Sequence, residues 1–288
     1  DRQFVGLDAY QKPIASGVDI VLLATPPAFR PMQMRAAVDT GIHVFAEKSF
    51  ATDGTAQRSM RESVELAKKK GLAIRSGLCF RFHPPHQEAF QRIHDGAIGE
   101  VLSVYVVRIG GGWGRYGLLE ATGGRRPEGQ SDLEWQLRNW YNFFWLSGGY
   151  MMDLGLHQVD EIAWIQREVP PASCVASGGR QIPEYGNIYD HYDATFEYAN
   201  GVVMNHVGGN CLGLTFYGSE GTLYVGRDGL WTKPESIAQS PMGPNDVPLY
   251  ESNDHHGNWL DCIRSRRKCI ADVEIGARSA TICHLGNI

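Results

Sequence analysis

Three short apolar runs dominate the first eighty residues: GVDIVLLAT (17–25), IHVFAE (42–47) and LAIRSG (72–77). Each is largely continuous rather than strictly alternating and rich in β-branched residues, as expected of strands buried on both faces of a parallel sheet. Between them, PMQMRAAVDTG (31–41) and residues 55–70 carry apolar positions at helical spacing, and Gly41 and Gly71 stand where helix C-caps are expected. Strand, helix, strand, helix, strand predicts parallel neighbours joined by right-handed crossovers. Ligands of such a doubly wound sheet bind beyond the carboxyl ends of the strands. Thr25, Glu47-Lys48 and residues 77–81 fall at those ends.

After Pro84-Pro85 the pattern changes. A helix to about Asp95 leads to a strand at EVLSVYVVRI (100–109), then to a long glycine- and tryptophan-rich stretch ending at Gly149. A structureless loop of that length is uncommon in a compact domain unless it is functional. GGYMMDLGLHQVDEIAWI (148–165) restores helical periodicity. Downstream segments alternate in polarity and are broken by Asn-Gly and Glu-Gly, the mark of antiparallel hairpins. Residues 255–267 and 275–288 read as closing helices. The expected architecture is therefore α/β plus α+β: a partial doubly wound parallel sheet over residues 1–83, then a larger domain over 84–288 with an open, mainly antiparallel sheet and helices on one face.

Composition narrows the function classes. The 288 residues are 43% hydrophobic and 20% charged, enough for a sizeable core. A net charge of −5 with interspersed signs offers no basic stripe, so nucleic acid is a poor partner. No apolar run approaches the ~20 residues of a membrane-spanning helix, and no membrane partner is expected. The six cysteines form no CxxC pair and read as buried, reduced thiols of a cytoplasmic protein. His255-His256 are adjacent on a helix and so face different ways, which argues against a metal. Ser49, Ser147 and Ser219 sit in no nucleophile elbow.

Candidate chemistry then rests on few residues. Asp153 and His157 lie four apart on a predicted helix and share one face, where an imidazole base could stand beside a carboxylate that orients a hydroxyl. A solvated polar face is the plainer reading of the pair taken alone. Lys48 could snorkel into water, or place fixed positive charge where an alkoxide develops. Trp113, Trp135, Trp140 and Trp145 offer faces for a sugar ring or serve as packing anchors. A dinucleotide-binding sheet should open with a glycine-rich turn onto a helix, and nothing before Gly17 provides GxGxxG. Either the chain lacks its first βαβ unit or it does not bind a dinucleotide in the usual way. The fit of the remaining strands favours the former.

DIVLLATPPAFRP, HVFAEKSFA, GLCFRFHP, GAIGEVLSV, GGYMMDLGLHQVD, YGSEGTLYV and the tail from Asn258 onward occur in an order that resembles the Gfo/Idh/MocA oxidoreductases. The resemblance implies a Rossmann domain binding NAD or NADP. It also implies a C-terminal domain whose sheet forms a homo-oligomer, a dimer or tetramer. By that resemblance Lys48 is the lysine of the EKP pattern, touching substrate and nicotinamide, and Asp153 and His157 are the substrate-binding aspartate and the proton-transferring histidine. Ala24, Thr25, Pro26, Glu47 and Arg81 fall where relatives contact the cofactor, and Trp113 and Trp140 are assigned to substrate. The implied reaction moves a hydride between a sugar or polyol carbon and nicotinamide. An NAD-dependent glycosidase acting by transient oxidation and elimination, and a non-catalytic binding or dimerisation protein that has lost the cofactor site, are the alternatives. Ser49 stands where the family has proline, and a looser turn after Lys48 is expected.

Overall fold

The structure is a computed structural model that describes residues 3–109, 126–181, 186–209, 213–226, 229–241 and 254–288. After a short helix α1 (Gln11–Ala15), strands β1 (Ile20–Leu23), β2 (His43–Ala46) and β3 (Ile74–Ser76) form a parallel sheet in that order. Ile20 pairs with His43 and Val44 with Ile74. β2 lies in the middle and all four of its residues are buried, which is what its unbroken apolar run requires. The crossovers are α2 (Arg30–Asp39) and α3 (Gly54–Lys69), as the periodicity predicts. Asp53 caps α3 by accepting from the Thr55 and Ala56 amides, and Lys68 and Lys69 occupy its last turn, where the helix dipole favours cations.

Helix α4 (Pro84–His94) leads into β4 (Val101–Ile109), the centre of a seven-stranded sheet. Its other strands are β5 (Ser173–Gly179), β6 (His191–Glu197), β7 (Val203–Gly209), β8 (Gly213–Gly218), β9 (Thr222–Gly226) and β10 (Gly229–Lys233). The order is β10-β9-β8-β4-β7-β6-β5, with β4 and β7 parallel and the remaining pairs antiparallel. Register sorts the side chains into rows. Ala194, His206, Val106, Leu214 and Val225 share a buried row. One residue along, Val175, Thr195, Asn205, Tyr105, Thr215, Tyr224 and Trp231 form the row on the opposite face. The period of two thus delivers one covered and one open face, as the alternating sequence anticipates.

Two expectations are revised. Residues 126–149, expected to be part of an irregular stretch, contain α5 (Asp132–Arg138), a 3-10 turn at Trp140–Asn142 and α6 (Phe144–Ser147). Ser131 accepts from the Glu134 amide, so the S-x-x-E capping signal is present at SDLE. The helical pattern at 148–165 is also divided. Met151–Gly155 is a π-helical turn, and α7 covers only Leu156–Ile165.

A short helix α8 (Ser236–Gln239) follows β10, and then α9 (His255–Ser265) and α10 (Val273–Asn287) close the described chain. Although the sequence groups them with residues 84–288, both return to the parallel sheet. Trp259 of α9 packs edge-on against Phe45 of β2. The Ala271 carbonyl accepts from the Ser76 amide, and Gln57 of α3 donates to the Ala277 carbonyl at 2.5 Å. A three-stranded sheet leaves apolar surface and backbone groups open, and this tail covers part of both. Among the described residues no helix is long and apolar enough to cross a membrane.

Candidate active site

The carboxyl ends of β1 and β2 are joined through one buried arginine. Arg30 is 2% exposed. Its guanidinium donates to the Thr25 carbonyl at 2.5 Å and to the Ser49 carbonyl, tying the segment after β1 to the segment after β2. Burial lowers its pKa to about 10, opposed by the charges of Glu47 and Asp153. Thr25 also donates from its hydroxyl to Gln33 Oε1 at 2.6 Å. Nothing in the sequence singles out Arg30, since an arginine opening a helix has no local mark to distinguish it from a solvated one.

Lys48 reaches across from this rim to the π-helical turn before α7. Its Nζ donates to both the backbone carbonyl and Oδ1 of Asp153, each at 2.7 Å. The lysine side chain is 13% exposed and the aspartate 2%. Asp153 lies within the π-helical turn, a form in which backbone hydrogen bonds skip an extra residue and which recurs at functional sites. Its second oxygen, Oδ2, is buried and has no hydrogen-bond partner among the described residues. A buried, unmatched carboxylate oxygen is costly and calls for a donor.

Ser49 does not loosen the turn after Lys48. The residue is fully buried, its hydroxyl donates to the Met152 carbonyl, and its own carbonyl is held by Arg30. The Lys48-Ser49 peptide is cis. Side-chain bonding thus anchors a position where slack was expected.

Gly77, at the end of β3, is a further part of the site. A Cβ there would stand 2.5 Å from Glu47 Oε2 and 3.0 Å from the Lys48 amide nitrogen. Only a bare backbone lets the third strand come this close. Gly77→Ala is expected to push the 47–48 segment aside, lowering stability by about 1–3 kcal/mol through overpacking. Turnover should fall further than that stability loss explains, because Lys48 moves. Thermal melts beside initial rates check this, and a variant with both unchanged would remove Gly77 from the site.

His157, in the first turn of α7, packs edge-on against Phe80 with ring centroids 5.1 Å apart. Phe80 in turn stacks on His86 at 4.8 Å, and His86 Nε2 pairs with Glu161 at 2.8 Å. The structure therefore gives His157 an aromatic and polar backing that the sequence does not announce. Arg81 stands apart from its assignment beside the cofactor. It is 1% exposed and its guanidinium is taken up by Asp160 and Glu168, which makes it a strut behind the site. Trp140 is half-buried and stacked on Tyr141 at 3.7 Å. Trp145 meets Phe29 edge-on at 6.4 Å, close to the Ala24-Thr25-Pro26 segment. Trp113 lies outside the described residues. No group of three or more His, Cys, Asp or Glu suited to a metal occurs among the described residues.

Comparison with known proteins agrees with this layout. Residues 86–224 match the GFO/IDH/MocA C-terminal domain. The chain is 24% identical over 281 residues to inositol 2-dehydrogenase 4 of Saccharopolyspora erythraea, covering 94% of this chain and 74% of that protein. It is 25% identical over 143 residues to a dTDP-3,4-didehydro-2,6-dideoxy-alpha-D-glucose 3-reductase of Actinomadura kijaniata, where the match covers 49% of this chain and only 35% of that protein. Among solved structures, the WlbA dehydrogenase of Bordetella pertussis in complex with NADH and UDP-GlcNAcA superposes with a TM-score of 0.71 at 20% identity, over 96% of this chain and 78% of that one. The domain match over residues 86–224, the alignment along 94% of the chain and the shared fold together support a Gfo/Idh/MocA oxidoreductase.

Proposed function

We propose that this protein is an NAD(P)-linked oxidoreductase that moves a hydride between a carbinol carbon of a sugar or polyol and the nicotinamide ring. The observation that carries the reading is the Lys48–Asp153 contact beyond the carboxyl ends of the parallel strands, with one aspartate oxygen left unmatched among the described residues. Asp153 Oδ2 accepts from a substrate hydroxyl and so orients it. Lys48 sets a fixed ammonium beside that hydroxyl, where charge appears as the proton leaves. His157 removes the proton as general base, its ring held by Phe80. Ala24, Thr25, Pro26 and Glu47, at the ends of β1 and β2, are the positions to hold the cofactor, which when bound supplies the hydride acceptor or donor.

Relatives support the substrate class. The Saccharopolyspora protein is named for inositol, the Actinomadura protein for a deoxysugar nucleotide, and the Bordetella complex holds NADH with a nucleotide sugar. The outward row of the seven-stranded sheet, with Tyr105, Trp231 and Val175 exposed, suits a second copy of the chain. Titration of the full-length protein, with any residues that precede Asp1 in it, with NADH and NADPH, followed by nicotinamide fluorescence, is expected to show saturable binding. A panel of inositols, aldoses and nucleotide sugars is then expected to change the absorbance of the reduced cofactor. Binding of neither nucleotide, or cofactor binding with no turnover of any polyol or sugar, would overturn the proposal.

A further inference from the structure

The opposite end of the parallel sheet holds a second cleft of about 690 Å3, a size typical of small-molecule sites. His43 opens β2 and Ala73 precedes β3, so this cleft faces the amino ends of the strands. Lys48 follows the other, carboxyl end of β2. Among the described residues five cations line it, Lys68, Lys70, Arg266, Arg267 and Lys268, and Asp272 is the single lining carboxylate.

Among the described residues, carboxylates answer only part of this charge. Lys68 pairs with Glu65 and Glu274, and Lys268 with Glu274. Asp272 accepts from the Glu274 amide and stands 4.0 Å from Lys268. The other three cations meet neutral groups: Lys70 the carbonyls of Val38 and Asp39, Arg267 the Ser265 hydroxyl, and Arg266 the Gly71 carbonyl.

Arg266 and His43 are moreover mismatched. The Ala73 amide donates to His43 Nδ1 at 2.9 Å, so a neutral ring carries its proton on Nε2. Arg266 Nη1 stands 3.0 Å from that same Nε2. A guanidinium has no acceptor, so two donors face each other. Burial and the Arg266 charge both lower the His43 pKa, and a second ring proton would only add to the repulsion. Arg266 also holds φ +60 at the end of α9, in the left-handed region that favours glycine.

We propose that this cleft binds a small ligand through a phosphate group, whose oxygens accept from Arg266 and from His43 Nε2 while Arg267 and Lys70 balance its charge. A phosphate suits the site because it presents several acceptor oxygens and more than one negative charge to a fork of donors. The inference is independent of the reaction assigned to the other end of the sheet.

Calorimetric titration of the full chain with inorganic phosphate, pyrophosphate and glucose 6-phosphate at low ionic strength tests this. At least one of the three is expected to bind saturably at one site. Arg266→Gly, which suits the left-handed backbone and so keeps the fold, should weaken that binding at least tenfold, while Lys48→Met leaves it unchanged. The NMR signals of the His43 ring should shift on binding. Pyrophosphate binding alone points to a diphosphate ligand, and glucose 6-phosphate binding to a monoester. No saturable binding of any probe, or binding that survives Arg266→Gly, would overturn the proposal.

Discussion

Lys48→Met is expected to lower turnover of a sugar or polyol substrate by about 10²–10³-fold, the usual cost of losing one fixed charge or donor aimed at a developing oxyanion. The ammonium makes two 2.7 Å bonds to Asp153, so its loss frees the aspartate as well as removing positive charge from the reacting hydroxyl. Lys48→Arg should recover little, because a planar fork does not reproduce a compact ammonium on these two oxygens. Steady-state rates with saturating cofactor, beside a thermal melt, provide the check. A Lys48→Met protein that folds and turns over within about threefold of the parent would end the catalytic assignment, since the expected loss is far larger.

Arg81→Leu is expected to cost about 3–5 kcal/mol of stability, because it strands a buried carboxylate. Arg81 donates from Nε and Nη2 to both oxygens of Asp160 at 2.8 Å, and from Nη2 to Glu168 at 2.8 Å. Ser279 of α10 donates to the same Asp160, and Arg278 pairs with Glu168 at 3.0 Å. One network thus joins the segment after β3 to α7 and α10. Burial raises the Asp160 carboxyl pKa and the Arg81 charge opposes that rise, so removing the arginine leaves desolvation unanswered. For a chain of this size the loss corresponds to a fall in Tm of about 10 °C. Pairing it with Asp160→Leu should restore much of the stability, since an apolar pair of similar volume avoids the buried charge. A single variant that melts within about 2 °C of the parent would show that the network contributes little.

The parallel strands are legible in the sequence because their information is local. Unbroken apolar runs, turn glycines at Gly41 and Gly71 and the cap at Asp53 each act within a few residues. The alternating segments likewise carry their hairpins, and the cap at SDLE marks a helix inside a stretch that glycine and tryptophan otherwise make look irregular. Lys48 at a strand end and the Asp153–His157 spacing stand out as candidates on the same local grounds.

What the sequence alone determined, then, was which residues form strands and helices and which polar side chains stand at strand ends. Tertiary structure decided which of them meet. Lys48 and Asp153 are 105 residues apart, and no periodicity relates them. Arg30, Arg81 and Arg266 look alike in the sequence, yet one ties two strand ends, one braces a buried carboxylate and one faces a histidine donor. The physical reason is that a charged side chain's role depends on its burial and on its partner, and both are supplied by elements distant in the chain.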